Sequence, residues 1–228
     1  MSSEEGEAGR LPVSFSAEES SILRRMVEFY EGVKALILYV EEIEDANFGN
    51  PEMLKELRDA LEHLMRVIAC KTGLRNEPDI DYSETNLDKA FGHVYRAGFD
   101  ALDWLSIVLR RKINRELSPY STSAIQASLP EYYGVMRPAI EGRIAGRIAE
   151  VRASKDIGVT GRVAIEEYAG LVFELKDYWG RVSAAKPSLV EYADKERGER
   201  RKAWALKAVL VLAAAGVGAF LTWLLAAD

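Results

Sequence analysis

Apolar residues recur along this chain at three- and four-residue spacing, and strict alternation is almost absent. The pattern predicts an all-α protein. Ser16 and Glu19 form a capping box that opens a first helix over about 16–45, with Ile22, Met26, Phe29, Val33, Leu36, Ile37 and Val40 on one side. Asn47 to Asn50 break it; Asn50 then caps a second helix begun by Pro51, with Leu54, Leu57, Leu61, Leu64, Met65 and Ile68 as its stripe and an end before Gly73. A third helix is expected over about 86–117, facing inward through Leu87, Phe91, Val94, Ala101, Leu105, Val108 and Leu109. Residues 118–128, rich in hydroxyls, read as a loop. Ser128 and Glu131 suggest a cap for a fourth helix through Tyr133, Met136, Ile140, Ile144, Ile148 and Val151, kinked at Pro138. The fifth, over about 160–185, is stopped by Pro187, and Ser188 with Glu191 repeats the capping pattern for one more helix.

The most apolar stretch lies at the end. Residues 208–227 carry no charge, and at 1.5 Å per residue they span about 30 Å, the thickness of a bilayer's hydrocarbon core. Trp204 and Trp223 sit near the two ends, where indole rings favour the interface, and Lys207 can snorkel towards headgroups. The expectation is one transmembrane helix over 203–227. Lys195, Arg197, Arg200, Arg201 and Lys202 flank it on one side and Asp228 alone on the other, which orients the N-terminal part to the cytoplasm and the C-terminus to the opposite side. A single residue after the span implies tail-anchored insertion. Ala214 with Gly218, or Ala215 with Ala219, has the small-xxx-small spacing that lets two such helices touch.

The expected organisation is therefore an acidic disordered tail (1–15), a cytoplasmic up-and-down helical bundle (16–186), a basic juxtamembrane helix acting as a stalk (188–202) and the membrane span (203–227). The tail has no apolar run behind it and so is no secretory signal.

Charge sharpens the picture. Six of the 30 basic and three of the 36 acidic residues lie from Lys195 onward. That leaves 24 basic against 33 acidic before it, a net of −9, which disfavours broad nucleic-acid coating. With one cysteine, Cys70, and two histidines, neither an intramolecular disulfide nor a Cys/His zinc site can be assembled, and no cofactor or metal is expected. Arg137, Arg143, Arg147 and Arg152 make the fourth helix locally basic, and Gly134, Gly142 and Gly146 leave room on it for close contact.

Both histidines are followed three residues later by arginine: His63 by Arg66 and His93 by Arg96. Asp59, His63 and Arg66 share one polar face of the second helix; His93, Arg96 and Asp100 share one of the third. If these faces meet, they form a His/Arg/Asp network; otherwise they are solvated.

The segment Arg58-Asp-Ala-Leu-Glu-His63 resembles the R-x4-6-H motif of HEPN domains, helical bundles found in many prokaryotic ribonucleases and nucleotide-binding proteins. Residues 56–105 are similar to that family in their wider pattern. The resemblance implies catalytic roles for Arg58, binding phosphate, and His63, acting as acid or base on a ribose 2′-hydroxyl, with Asp59, Arg66, His93, Arg96 and Asp100 supporting.

Two functional expectations follow. In the first, the chain is a membrane-tethered interaction or scaffold module that performs no chemistry and engages the lipid bilayer, a second copy of itself as a homodimer, or a cytoplasmic protein partner. In the second, it is a membrane-anchored HEPN-type endoribonuclease, metal-independent, with RNA as substrate.

Overall fold

The computed structural model describes residues 13–44, 51–79, 81–154 and 161–226 of the chain, with side chains beyond Gly218 and those of residues 154 and 161–164 outside the description. Among the described residues every regular element is helical: α1 (Ala17–Ile43), α2 (Pro51–Lys71), α3 (Tyr82–Leu117), α4 (Thr122–Ser128), two π-helical stretches (Tyr132–Met136 and Ala139–Ile144), α5 (Ala145–Ser154) and α6 (Gly161–Ala226). The all-α expectation holds. Residues 1–12 of the predicted tail, the cap at Asn50 with the break before it, and the predicted start at Thr160 lie outside the described residues. The helices form two compact units, one of α1, α2, α3 to Leu109 and α6 to Val172, the other of the remaining parts of α3 and α6 with α4, the π-helical stretches and α5.

In the first unit the capping box forms as expected. The Ser16 hydroxyl accepts from the Glu19 amide at 3.0 Å and Glu19 Oε2 accepts from the Ser16 amide at 2.7 Å. Glu19 is buried, and its other oxygen meets Lys71 Nζ at 2.7 Å. One carboxylate thus caps α1 and holds the last residue of α2. Two residues on, Gly73 takes a left-handed φ of 74° and ends the helix.

The core joins Met26 and Val33 of α1 to Met53 and Ala60 of α2 and to Ala90, Val94, Ala97 and Ala101 of α3. Small residues on α3 bring the backbones close. A Cβ at Gly98 would lie 3.0 Å from Val33 Cγ2 and 3.2 Å from the Phe29 ring, tighter than ordinary contact, so a larger residue there would have to push these side chains aside. The face of α2 differs from expectation. Of the expected stripe Leu57 and Leu64 pack against the core, beside the buried Met53, Ala60 and Val67, while Leu54, Leu61, Met65 and Ile68 stay exposed. Helix α2 carries two apolar stripes, and the alanine-lined face of α3 accepts the narrower one. From α6, the buried Tyr168 packs its ring on Phe99 at 5.9 Å and donates its hydroxyl to Asp103.

In the second unit three expectations give way. The hydroxyl-rich loop folds into α4, because Ser121 caps it by accepting from the Ala124 amide at 3.1 Å while Ala124 and Ile125 are buried. Ser128 ends α4 and caps nothing; the following helix begins with two π-helical stretches on either side of Pro138. Proline has no amide hydrogen to give. The backbone shifts register instead, as the Arg137 amide bonds to the Tyr132 carbonyl five residues back.

The third correction is at Pro187. It does not stop the fifth helix, because α6 runs through it and through Gly198 without a break. Val182 and Leu189, on either side of the proline, are fully buried, and Lys186 Nζ pairs with Glu116 at 2.8 Å. Packing on both flanks outweighs the lost backbone bond. Ser188 and Glu191 are therefore helix-interior residues. Further on, every residue over 199–218 is exposed. Among the described residues no helix is long and apolar enough to cross a membrane; residues 219–227 of the predicted span, including Trp223, lie beyond the described side chains.

Candidate functional site

Helices α2 and α3 each present polar residues seven apart on the face they share: Glu56 and His63 on α2, Asn86 and His93 on α3. The two histidines meet within one chain. Their rings stack with centroids 5.3 Å apart and planes 21° from parallel. The faces that the sequence set apart as polar do join, through different partners from those expected.

His63 Nδ1 lies 2.9 Å from Asn86 Oδ1. Asn86 is buried, and its amide nitrogen donates to the Tyr82 carbonyl at 2.8 Å. The Asn86 oxygen can only accept, so His63 carries its proton on Nδ1 and keeps Nε2 as a lone pair when neutral.

His93 Nδ1 lies 2.8 Å from Glu56 Oε2, and the same oxygen accepts from Arg96 Nε at 2.7 Å. Arg96 Nη2 also reaches His93 Nδ1 at 2.7 Å. A protonated Nδ1 donates to Glu56, and an unprotonated one accepts from Arg96; the ring has a partner in either tautomer. Burial alone would raise the Glu56 pKa, but the hydrogen bonds and charges of Arg96 and His93 outweigh it and hold the carboxyl below the usual glutamate value. Beside His93 an open pocket of about 390 Å³ is lined by Thr85, Asp88, Lys89, Gly92 and Arg96.

The residues singled out by the sequence divide. His63, His93 and Arg96 come together. Arg58 turns to its neighbour Asp59, donating from Nη2 at 2.8 Å, and its side chain is 71% exposed. Asp59 also faces Lys55 Nζ at 3.7 Å, and the Arg58 guanidinium beside it lowers its pKa. Arg66 pairs with Glu62. Asp100 lies one turn beyond Arg96 on α3, partly buried. Trp204 and Lys207 are exposed on α6. Glu56 and Asn86 were missed, though each stands seven residues before a histidine, the signal that could have found them. Among the arginines of the fourth predicted helix, Arg137 pairs with Glu141 at 3.0 Å, Arg143 with Glu174 and Arg147 with Glu150. The local positive charge is largely matched by carboxylates.

Chemically, the cluster offers an imidazole of defined tautomer stacked on a second one that is held between a carboxylate and a guanidinium. Such an arrangement can store or pass a proton. Among the described residues no group of three or more His, Cys, Asp or Glu is placed to hold a metal ion. Compared with protein-family models, with curated proteins and with solved structures, the chain matches none.

Proposed function

We propose that this chain is a membrane-tethered helical interaction module, an up-and-down bundle facing the cytoplasm, whose α6 continues as a basic juxtamembrane stalk into a single membrane span ending on the opposite side. The observation that carries the reading is the solvent exposure of residues 199–218, including Trp204, Leu206 and the run Val209 to Leu212. An apolar helix that the other described residues leave exposed calls for a non-aqueous neighbour, and the uncharged sequence that continues to Ala227 is long enough for that neighbour to be a bilayer. Lys195, Arg197, Arg200, Arg201 and Lys202 mark the cytoplasmic side.

The test is alkaline extraction and flotation of membranes from cells expressing the full chain. Wild type stays with lipid, whereas Leu210→Arg combined with Ala214→Arg is released; extraction of wild type would sink the reading. Orientation is checked at Cys70, which a membrane-impermeant maleimide labels from the cytoplasmic side alone.

A second reading, a membrane-anchored HEPN-type ribonuclease, is favoured by the stacked pair His63 and His93 with Arg96 beside it. RNA is its substrate, His63 and His93 exchange protons with it, and Arg96, beside the pair, binds its phosphate in place of Arg58, which turns to Asp59. Incubating the detergent-solubilised chain with RNA decides: cleavage lost in His63→Ala and Arg96→Ala but kept in Arg58→Ala supports it, and no cleavage by wild type ends it.

A further inference from the structure

Helix α6 changes character beyond Arg197. Upstream its cations are matched: Arg181 Nε meets Asp177 at 2.9 Å, Lys186 Nζ meets Glu116 at 2.8 Å, and Arg197 itself pairs with Asp194. The run 199–207 then holds four basic residues, Arg200, Arg201, Lys202 and Lys207, against the single Glu199, a net of +3. All four are exposed, and among the described residues none has an ion-pair or hydrogen-bond partner. Glu196 stands four residues before Arg200, the spacing at which a helix pairs opposite charges, yet its Oε2 accepts from the Ser121 hydroxyl at 2.9 Å. Ser121 is the cap of α4, so the start of that helix draws off the carboxylate one turn before Arg200.

We infer that Arg200, Arg201, Lys202 and Lys207 bind the phosphates of anionic phospholipids, so that the chain selects a negatively charged membrane surface. The inference deepens the tethering reading by naming the lipid class, and it rests on that reading. Position argues for lipid. The uncharged run begins at Ala208; at 1.5 Å per residue Lys207 stands about 1.5 Å before it, and Lys202, Arg201 and Arg200 about 9, 10.5 and 12 Å before it. A headgroup layer is about 5–8 Å deep on each side of the hydrocarbon, and the long arms of arginine and lysine lean towards it. Lys195, about 20 Å out, stands beyond that layer. Trp204, exposed among the four, puts its indole at the same interface. Guanidinium forks match phosphate oxygens; in a zwitterionic headgroup choline already offsets the phosphate charge, and in an anionic one nothing does. An RNA phosphate offers the same chemistry, but the chain before Lys195, with 24 basic against 33 acidic residues, repels a polyanion lying alongside it. A membrane meets the helix only at its end.

The experiment uses the full chain reconstituted into phosphatidylcholine vesicles that carry a trace of spin-labelled phosphatidylglycerol or spin-labelled phosphatidylcholine, and reads the share of probe that the protein immobilises. The expected result is at least about threefold more phosphatidylglycerol than phosphatidylcholine immobilised by wild type, falling towards equality at about 1 M salt. Arg200→Gln with Arg201→Gln lowers that preference at least about twofold with an unchanged helical circular dichroism spectrum. Lys195→Gln with Arg197→Gln, which removes the same charge farther out, leaves it unchanged. Equal immobilisation of the two probes by wild type overturns the proposal. So does an equal loss in both double variants, since the preference would then belong to net charge, and so does displacement of the anionic probe by added single-stranded RNA. Flotation of the wild-type vesicles is measured alongside: a chain that floats without preferring the anionic probe loses this proposal and keeps the tethering, whereas a chain that fails to float loses both.

Discussion

His63 bonds to Asn86 across the α2/α3 interface, and because Asn86 gives its amide hydrogen to Tyr82, the direction of the His63 bond is settled two residues away from the ring. The nitrogen that remains basic is Nε2. This is a property of the pair, which neither residue has alone.

Nitrogen-15 correlation spectra of the imidazoles should accordingly show the neutral His63 ring in its Nδ1-protonated tautomer. Asn86→Ala should release that preference and lower stability by about 1–3 kcal/mol, the cost of leaving a partly buried ring nitrogen unpaired. An unchanged tautomer in the variant would refute the assignment.

Glu56 leads to a pH dependence. Its carboxyl is held below the ordinary value by Arg96 and His93 against the opposing effect of burial, so the folded state binds its proton more weakly than the unfolded chain. The stabilisation is full above the ordinary carboxylate range and is lost as pH falls through the depressed folded value. Thermal melts of wild type and Glu56→Gln should therefore differ most at neutral pH and converge in acid below that range. Divergence on acidification would contradict the sign.

Gly98 makes a steric prediction. Alanine is the better helix former by about 1 kcal/mol, yet Gly98→Ala should lose about 1–3 kcal/mol, because the added methyl group would press on Val33 and the Phe29 ring, which are packed in the core and have to shift to admit it. Chemical denaturation would register the loss directly, and a gain in stability would mean that α1 and α3 stand farther apart.

Pro187 predicts the opposite. Since α6 is continuous there, Pro187→Ala restores an amide to a helix interior and should stabilise the protein, by up to about 3 kcal/mol. A helix that ended at this residue would give no such gain in the melting temperature.

How far the chain was legible depended on whether its signals were local. The Ser16 and Glu19 box could be read because both partners lie within one turn. The face of α2 could be read only in part: Leu57 and Leu64 of the expected stripe pack on the core, while Leu54, Leu61, Met65 and Ile68 do not, and that choice rested with Ala90, Ala97 and Ala101 on another helix. Pro187 obeyed packing from Val182 and Leu189 over its own propensity. In the site, the two histidines and Arg96 were visible as residue types, while Glu56 and Asn86 acquire meaning only from the antiparallel register that sets them opposite His93 and His63. Arg58 matched a motif by spacing and turned to the nearest carboxylate instead.

The two π-helical stretches around Pro138 have a consequence for any shortening of the chain. Each such turn accommodates one residue more than an α-turn would. Removing a single residue between Tyr132 and Met136 should let that turn relax to ordinary α-geometry, leaving the phase of Ile140, Ile144 and Ile148 intact. The same deletion within α5 would swing everything after it by about 100° and carry the downstream Val151 out of the core. Tolerance to deletion should therefore be sharply local, highest where the helix already holds a residue to spare and lowest one turn later.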